Sequence, residues 1–335
     1  NEKNLKTFEP LYEELLKNSN NLYATTNLEE GLNYSDTIFI LVQTPNSGGE
    51  RFYDHYILSN LLQNINNFKV KNKDLIVCCT VMPKYIQEVG QYLVSDCENT
   101  LVSYNPEFVA QGEIIKGYLN PDIILIGSER PNIEEKLRNI YSKFIKSEPK
   151  YLVMSPLEAE LVKITVNGYV TTKLSFANMI TDVCNNIGAN PCIVLNAVGS
   201  DSRISNKYFK PGYSFGGPCF PRDTKALKQL VEQSGIESKI LEATTSYNQY
   251  HIEIYSNKLI NYYTKNLDEE IIIEGICYKE NSKVPIIEES SKLKIALKLV
   301  NYFKNIPRKV VIKDSLELIN EVKKEYGNLF EYIIL

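Results

Sequence analysis

Short unbroken apolar runs, set between polar stretches, recur through the first 150 positions of the chain. Thr37-Ile38-Phe39-Ile40-Leu41-Val42 has the pattern of a strand covered on both faces, and Leu75–Cys79, Leu101–Tyr104 and Ile123–Ile126 repeat it. Helical spacing between and after these runs predicts helices near Leu58–Ile65, Tyr85–Leu93 and Ile133–Ile145. Strand and helix in alternation predict a parallel, doubly wound α/β sheet. From Ser155-Pro156, an N-cap followed by proline at the first helical position, one helical pattern continues to about Asn186. Its roughly thirty residues are about three times an average helix, a length suited to joining domains or forming a dimer spine. Shorter helices follow at Pro191–Val198, Arg222–Gln233 and Lys239–Asn266. A second alternating block has strands at Ile271–Ile276, Lys309–Ile312 and Tyr332–Leu335, with helices at Glu289–Phe303 and Leu316–Glu325. The expected plan is an α/β domain over 1–154, a helical middle over 155–266, and a second α/β domain over 267–335.

Composition narrows the class. With 335 residues, 43% apolar and 23% charged, the chain has the balance of two or three globular domains. No uncharged apolar run approaches the ~18 residues of a membrane helix, and Asn1-Glu2-Lys3-Asn4 lacks the profile of a signal peptide. A cytoplasmic protein with no membrane association is expected. A net charge of −4 without a long basic block argues against a nucleic-acid partner. Two histidines, His55 and His251, are too few and too far apart for a histidine-rich metal site. The seven cysteines show no CxxC pair and no regular spacing, so neither a zinc site nor a disulfide framework is expected, and a reducing cytosol suits them. Most should be buried as small hydrophobes.

The densest chemical constellation spans Arg203 to Lys228. Six cations (Arg203, Lys207, Lys210, Arg222, Lys225, Lys228) meet one acid, Asp223, around Gly212-Tyr213-Ser214-Phe215-Gly216-Gly217-Pro218-Cys219. Glycine pairs let backbone approach a ligand, and clustered cations suit phosphate oxygens. Cys219 precedes a predicted helix start, and a helix N-terminus beside an arginine favours an anionic sulfur. A glycine-rich turn with a buried cysteine and a solvated basic helix would read the same way. Lys163 and Asn167, four apart on the long helix, share a face and can hold an oxyanion or a water; an ordinary exposed lysine is the plainer reading. Glu107, Thr80 and Thr44-Pro45 each lie past the carboxyl end of a strand, the edge where open α/β sheets bind ligands.

Together these segments resemble the UDP-glucose/GDP-mannose dehydrogenase family. Phe215-Gly216-Gly217-Pro218-Cys219-Phe220-Pro221-Arg222-Asp223-Thr224-Lys225-Ala226-Leu227 is similar to its catalytic-cysteine segment. Thr44-Pro45, Thr80-Val81, Asn105-Pro106-Glu107-Phe108-Val109, Glu158–Lys163 with Asn167, and Tyr278-Lys279 with Glu289-Ser290-Ser291 match in the same order. The resemblance implies two Rossmann-like domains around the helical middle. It also implies NAD-dependent, four-electron oxidation of the C6 alcohol of a nucleotide sugar to a carboxylate through a cysteine thioester. Cys219 would be the nucleophile. Lys163 and Asn167 would stabilise oxyanions, Asp223 and Thr80 would position water, and Glu107 would be an acid/base group. Glu107, Phe108, Val109, Lys163, Asn167, Arg203, Tyr208, Lys210, Phe215, Gly216 and Lys279 would hold the nucleotide sugar. Val42, Thr44, Pro45, Thr80, Gln111, Cys219 and Arg222 would line the NAD site. A homodimer through the central helix follows, with Arg203 reaching the partner subunit.

Within the family the cysteine run leans toward the UDP-glucose branch, giving UDP-glucuronate; UDP-N-acetylhexosamine and GDP-mannose are the alternatives. Three positions depart from the family pattern. The chain contains no GxGxxG turn for pyrophosphate, and its first strand, glycine loop and second-strand acid are expected upstream of Asn1. Gln111 replaces a glutamate near the cofactor, and Glu288 stands near a cofactor-binding arginine. A true absence of the glycine loop would favour a non-catalytic nucleotide-sugar-binding protein. A cysteine hydrolase would need a base that neither histidine offers from within the motifs.

Overall fold

The computed structural model describes residues 9, 11–17, 22–47, 52–282, 284–306 and 308–335; the Asn1–Asn4 profile lies outside them. The chain divides into two compact units, 1–165 and 166–335.

The first unit contains α1 (Tyr12–Lys17), α2 (Leu28–Tyr34), β1 (Thr37–Ile40), α3 (Tyr56–Asn67) and β2 (Asp74–Val77). A π-helical turn, Tyr85–Gly90, continues into α4 (Gln91–Leu93). Then come β3 (Leu101–Tyr104), α5 (Ile114–Leu119), β4 (Ile123–Gly127), α6 (Ile133–Tyr141), β5 (Lys150–Met154) and the start of α7 (Pro156–Ile187). The sheet order is β1-β2-β3-β4-β5. Strand β2 shows why an unbroken apolar run forms a central strand. Leu75 and Val77 enter one core with Leu58, Leu62 and Ile65 of α3, while Ile76 enters another with Ile124, Ile133 and Leu137. Each such side chain contributes about 1.5–3 kcal/mol on burial.

The α/β class is as expected, but the sheet is not wholly parallel. Strands β1, β2 and β3 run parallel, β4 and β5 are parallel to each other, and β3 meets β4 antiparallel at Tyr104 and Gly127. An apolar run reports burial on both faces; it says nothing of direction. Strand β5 was not foreseen, because it carries exposed Lys150, Leu152 and Val153 and so lacks a buried run. Helices α1, α2 and α5, of six or seven residues, are too short to show a period. β1 stops at Ile40 rather than Val42, where Leu41 is 58% exposed.

The long helix begins where expected. Ser155 and Glu158 form a reciprocal capping box, with Ser155 N–H on Glu158 Oε2 at 2.9 Å and Glu158 N–H on Ser155 Oγ at 3.3 Å. Gly127 ends β4 against this start: a Cβ there would lie 2.6 Å from Ala159 Cβ.

In the second unit, the rest of α7 is followed by α8 (Pro191–Gly199), α9 (Phe220–Gln233) and α10 (Lys239–Lys265). Hydroxyl pairs stitch these helices: Thr171 to Thr224 at 2.9 Å and Thr172 to Thr244 at 3.0 Å. A parallel sheet of β6 (Ile271–Glu274), β7 (Val310–Asp314) and β8 (Glu331–Ile334) carries α11 (Ser291–Phe303) and α12 (Leu316–Tyr326). Ile271, Ile273, Val310 and Ile312 share its core with Leu293, Leu299, Phe303 and Val322. Among the described residues no helix is long and apolar enough to cross a membrane.

Candidate active site

The first unit gathers its candidate residues at the carboxyl ends of β1, β2 and β3. Thr44 Oγ1 donates to the Thr80 carbonyl at 2.9 Å, tying the turn after β1 to the turn after β2. Val42 packs on the core, and the exposed Pro45 accepts the Asp54 N–H at 2.8 Å. His55 Nε2 accepts the Met82 N–H at 3.2 Å, and burial pushes its pKa down to about 4, which keeps the ring neutral for that role. Glu160 of α7 accepts the N–H groups of Lys84 and Ile86, each at 2.7 Å. It thereby caps the π-helical turn. Burial pushes its pKa up to about 7 against the pull of those two bonds.

After β3, Asn105 donates to the Leu125 carbonyl at 2.7 Å and accepts from Tyr141 OH at 2.6 Å, fixing the segment that follows. Lys163 donates to the backbone carbonyl of Glu107, and its ammonium lies 4.7 Å from the centre of the Phe108 ring. Burial raises the Glu107 pKa, with Lys163 opposing. Val109 packs against Gly117, where a Cβ would approach it to 2.9 Å. Gln111 is exposed.

The second unit holds the sulfur. Cys219 is the N-cap of α9 and is exposed, whereas Cys78, Cys97 and Cys184 are buried. Its carbonyl accepts the Asp223 N–H at 2.8 Å, so the first turn of α9 sets Asp223 beside it in the chain. Asp223 is 1% exposed, and Asn167 Nδ2 donates to its Oδ2. Burial pushes the Asp223 pKa up to about 7. Such a carboxyl can accept a proton from a neutral-pH reaction, and the amide holds it in place. Phe215 and Gly216 are buried in the loop leading to Cys219, and Arg222 is half-buried. Gly217 has φ +81, and a Cβ there would lie 2.3 Å from the Tyr278 ring. Burial, then the neighbouring Cys219 and Cys277, push Tyr278 up to about 12.

The basic window is less of a cluster in space. Arg203 is exposed and clasps Asp201 at 2.8 Å, just outside the window, while Lys228 meets Glu232 at 3.4 Å and Glu242 at 3.3 Å. Lys210 and Lys279 are exposed, as is Tyr208, whose ring meets Phe220 edge-on at 6.2 Å. The fold thus groups Thr44 with Thr80, Lys163 with Glu107 and Phe108, and Asn167 with Asp223. Sequence reasoning missed the capping role of Glu160, which lies 74 and 76 residues from its partners. It also missed Asn248, whose side chain grips Phe215. No local pattern marks either. Among the described residues no three His, Cys, Asp or Glu side chains converge to hold a metal.

A sheet whose adjacent parallel strand ends are stitched at Thr44 and Thr80 has the edge at which dinucleotide-dependent dehydrogenases with open α/β sheets receive their cofactor; the second unit, taken by itself, carries an exposed cysteine at a helix N-cap position and a buried carboxyl in the first turn of that helix. Comparison with known proteins makes this specific. Sequence models of the UDP-glucose/GDP-mannose dehydrogenase family match residues 1–145, as its NAD binding domain, and 157–250, as its central domain. A UDP-glucose 6-dehydrogenase of Rickettsia felis is 30% identical over 98% of this chain and 73% of its own length. One of Bacillus subtilis is 30% identical over 78% of this chain and 56% of its own. The solved structure of a UDP-glucose dehydrogenase from Pyrobaculum islandicum superposes with a TM-score of 0.83 at 27% identity, covering 97% of this chain and 75% of that one. The chain belongs to the UDP-glucose/GDP-mannose dehydrogenase family. The expected class, an NAD-dependent oxidoreductase, and the expected cofactor, NAD, are borne out. The residues at the strand ends fit that cofactor: the Thr44–Thr80 bond holds the two turns at the edge where an open α/β sheet receives a dinucleotide.

Proposed function

We propose that this protein oxidises the C6 alcohol of UDP-glucose to the carboxylate of UDP-glucuronate, by way of a thioester on Cys219. The supporting observation is that an exposed cysteine at the N-cap position of α9 precedes, in the first turn of the same helix, the buried Asp223 carboxyl held by Asn167. When bound, NAD would be held by Val42, Thr44, Pro45, Thr80, Gln111 and Arg222 and would supply a hydride acceptor for each of the two oxidations. Cys219 sulfur bonds to the C6 carbonyl carbon of the aldehyde as the C=O π pair moves onto the oxygen, which takes up the thiol proton and leaves a thiohemiacetal. After the second oxidation the carbon is a thioester. Water adds to it, Asp223 accepts the water's proton with Asn167 holding the carboxylate, and the C–S bond breaks to release the acid and regenerate the thiol. Lys163 offsets the negative charge that builds on the C6 oxygen, and Glu107 and Thr80 serve as polar partners at the first unit's edge. Phe108, Val109, Arg203, Tyr208, Lys210, Phe215, Gly216 and Lys279 hold the nucleotide sugar.

The domain plan of this reading is 1–154 for NAD, 155–266 for substrate and dimerisation, and 267–335 for the nucleotide. A homodimer through α7 is supported by Tyr169, Phe176, Val183 and Ile187, which recur at seven-, seven- and four-residue intervals and are all exposed. Seven free cysteines support a cytosolic location. The decisive experiment is NADH formation by the full-length protein on a panel of nucleotide sugars, with Cys219→Ser as the control. UDP-glucose should yield NADH, and Cys219→Ser should lose steady-state turnover while still binding UDP-glucose. More than a tenth of wild-type turnover in Cys219→Ser would exclude the covalent route.

A further inference from the structure

Asn248, His251 and Tyr255 of α10 recur at three- and four-residue spacing and share one helix face. All three engage the loop that runs from Gly212 to Gly217. Asn248 Oδ1 accepts the Phe215 N–H at 2.8 Å, and its Nδ2 donates to the Phe215 carbonyl at 3.0 Å. One amide thus holds both polar backbone groups of one residue. The carbonyl of Asn248 also accepts Ser214 Oγ at 2.6 Å.

His251 extends the grip. Its Nε2 lies 3.0 Å from the Gly212 carbonyl, and its Nδ1 lies 2.6 Å from Asp182 Oδ2, which also accepts Tyr247 OH at 2.9 Å. Both ring nitrogens thus face oxygen acceptors, and the imidazole bridges the Asp182 carboxyl to the loop backbone. The ring is 1% exposed. Tyr255 lies 5.3 Å from Tyr213, centre to centre, and Asn178 Nδ2 donates to the Tyr213 carbonyl at 3.2 Å. On its other side the loop meets the segment before α11: Gly217 N–H donates to the Glu288 carbonyl at 3.0 Å, and a Cβ on Gly216 would lie 2.1 Å from Glu289 O. Two adjacent glycines give this loop more backbone freedom than any other pair of residues would. The α10 face removes that freedom.

We propose, on the reading of 212–217 as the nucleotide-sugar loop, that Asn248, backed by His251 on Asp182, is a positioning residue that sets affinity for the nucleotide sugar and not for NAD. A polar face on a helix far along the chain thereby fixes the backbone that meets the substrate.

The test compares full-length wild type with Asn248→Ala and the isosteric Asn248→Asp. The aspartate keeps an acceptor for the Phe215 N–H but sets a second oxygen against the Phe215 carbonyl. Three quantities are measured: hydrogen exchange of the Phe215 amide without ligand, calorimetric Kd for UDP-glucose and for NADH, and the thermal midpoint. Both variants should lose Phe215 protection and bind UDP-glucose about ten- to thirty-fold more weakly, the size of two lost hydrogen bonds. NADH affinity should stay within roughly two-fold. Should Asn248→Ala fail to fold, Asn248→Asp and Ser214→Ala carry the same comparison. Unchanged UDP-glucose affinity in folded variants, or equal losses for UDP-glucose and NADH, overturns the positioning role. A wild type that binds no nucleotide sugar instead overturns the functional reading beneath it.

Discussion

Replacing Asp223 by asparagine should stabilise the protein and stop its chemistry, and the stabilisation should depend on pH in a defined way. Burial moves this carboxyl from an ordinary value of 3.8 to about 7. A folded value above the unfolded one means that the native state binds the extra proton between those limits. Stability from this group is therefore complete below about pH 3.8 and is lost as pH rises to about 7. At about 1.4 kcal/mol for each tenfold, the loss reaches about 4 kcal/mol once both states are ionised. The asparagine side chain has nearly the same shape and no proton to lose, so the Asp223→Asn variant lacks this slope. Other carboxyls contribute equally to both proteins and drop out of the difference. Urea unfolding at pH 5 and pH 8 should show the variant's advantage widening by roughly 3 kcal/mol, while NADH formation falls because the water's proton has no acceptor. Parallel pH profiles for the two proteins would refute the buried, proton-accepting state of Asp223. A wider gap with full activity would leave that state intact and remove Asp223 from the chemistry.

Lys163→Ala should lower kcat by about 10²–10³ while changing the UDP-glucose Kd only a few-fold, because in the proposed mechanism the ammonium acts mainly on charge that builds in the transition state; pre-steady-state NADH release beside calorimetry would check it, and a large loss of affinity at unchanged kcat would make Lys163 a binding residue. Gly217→Ala should destabilise the second unit by about 1–3 kcal/mol, since it meets both the positive φ and the Tyr278 ring. Adding Tyr278→Ser should recover the part due to the ring, read as a rise in thermal midpoint over the single variant.

The sequence made some of this legible for identifiable reasons. Strand β2 was readable because Leu75, Ile76 and Val77 feed cores on opposite faces, which demands an unbroken apolar run. The start of α7 was readable because Ser155 and Pro156 are a local N-cap signal, to which the structure adds the Glu158 half of the capping box. Cys219 was readable as a helix terminus from Pro221, although α9 begins at Phe220, two residues before the expected start. What escaped was long-range. The direction of β4 depends on its pairing at Tyr104 with Gly127, which no window of neighbouring residues records. Asn248 lies 33 residues from the backbone it holds, and the acids that draw off Arg203 and Lys228 flank the window in which those cations looked dense.

The cap that Glu160 provides bears on the order in which the first unit assembles. Tyr85–Leu93 is only nine residues long, well short of the ~12–15 at which a helix begins to persist unaided. Its first N–H groups, at Lys84 and Ile86, find their acceptor on a side chain 76 and 74 positions later. Strands β3, β4 and β5 lie in between, so the large loop they make must close before those amides have a partner. In a refolding chain the turn bearing Thr80 should therefore gain exchange protection after the hydrophobic centre around β2, and with the docking of α7. The same holds for a chain leaving the ribosome: the cofactor edge of the sheet stays unfinished until the residues near 160 have emerged.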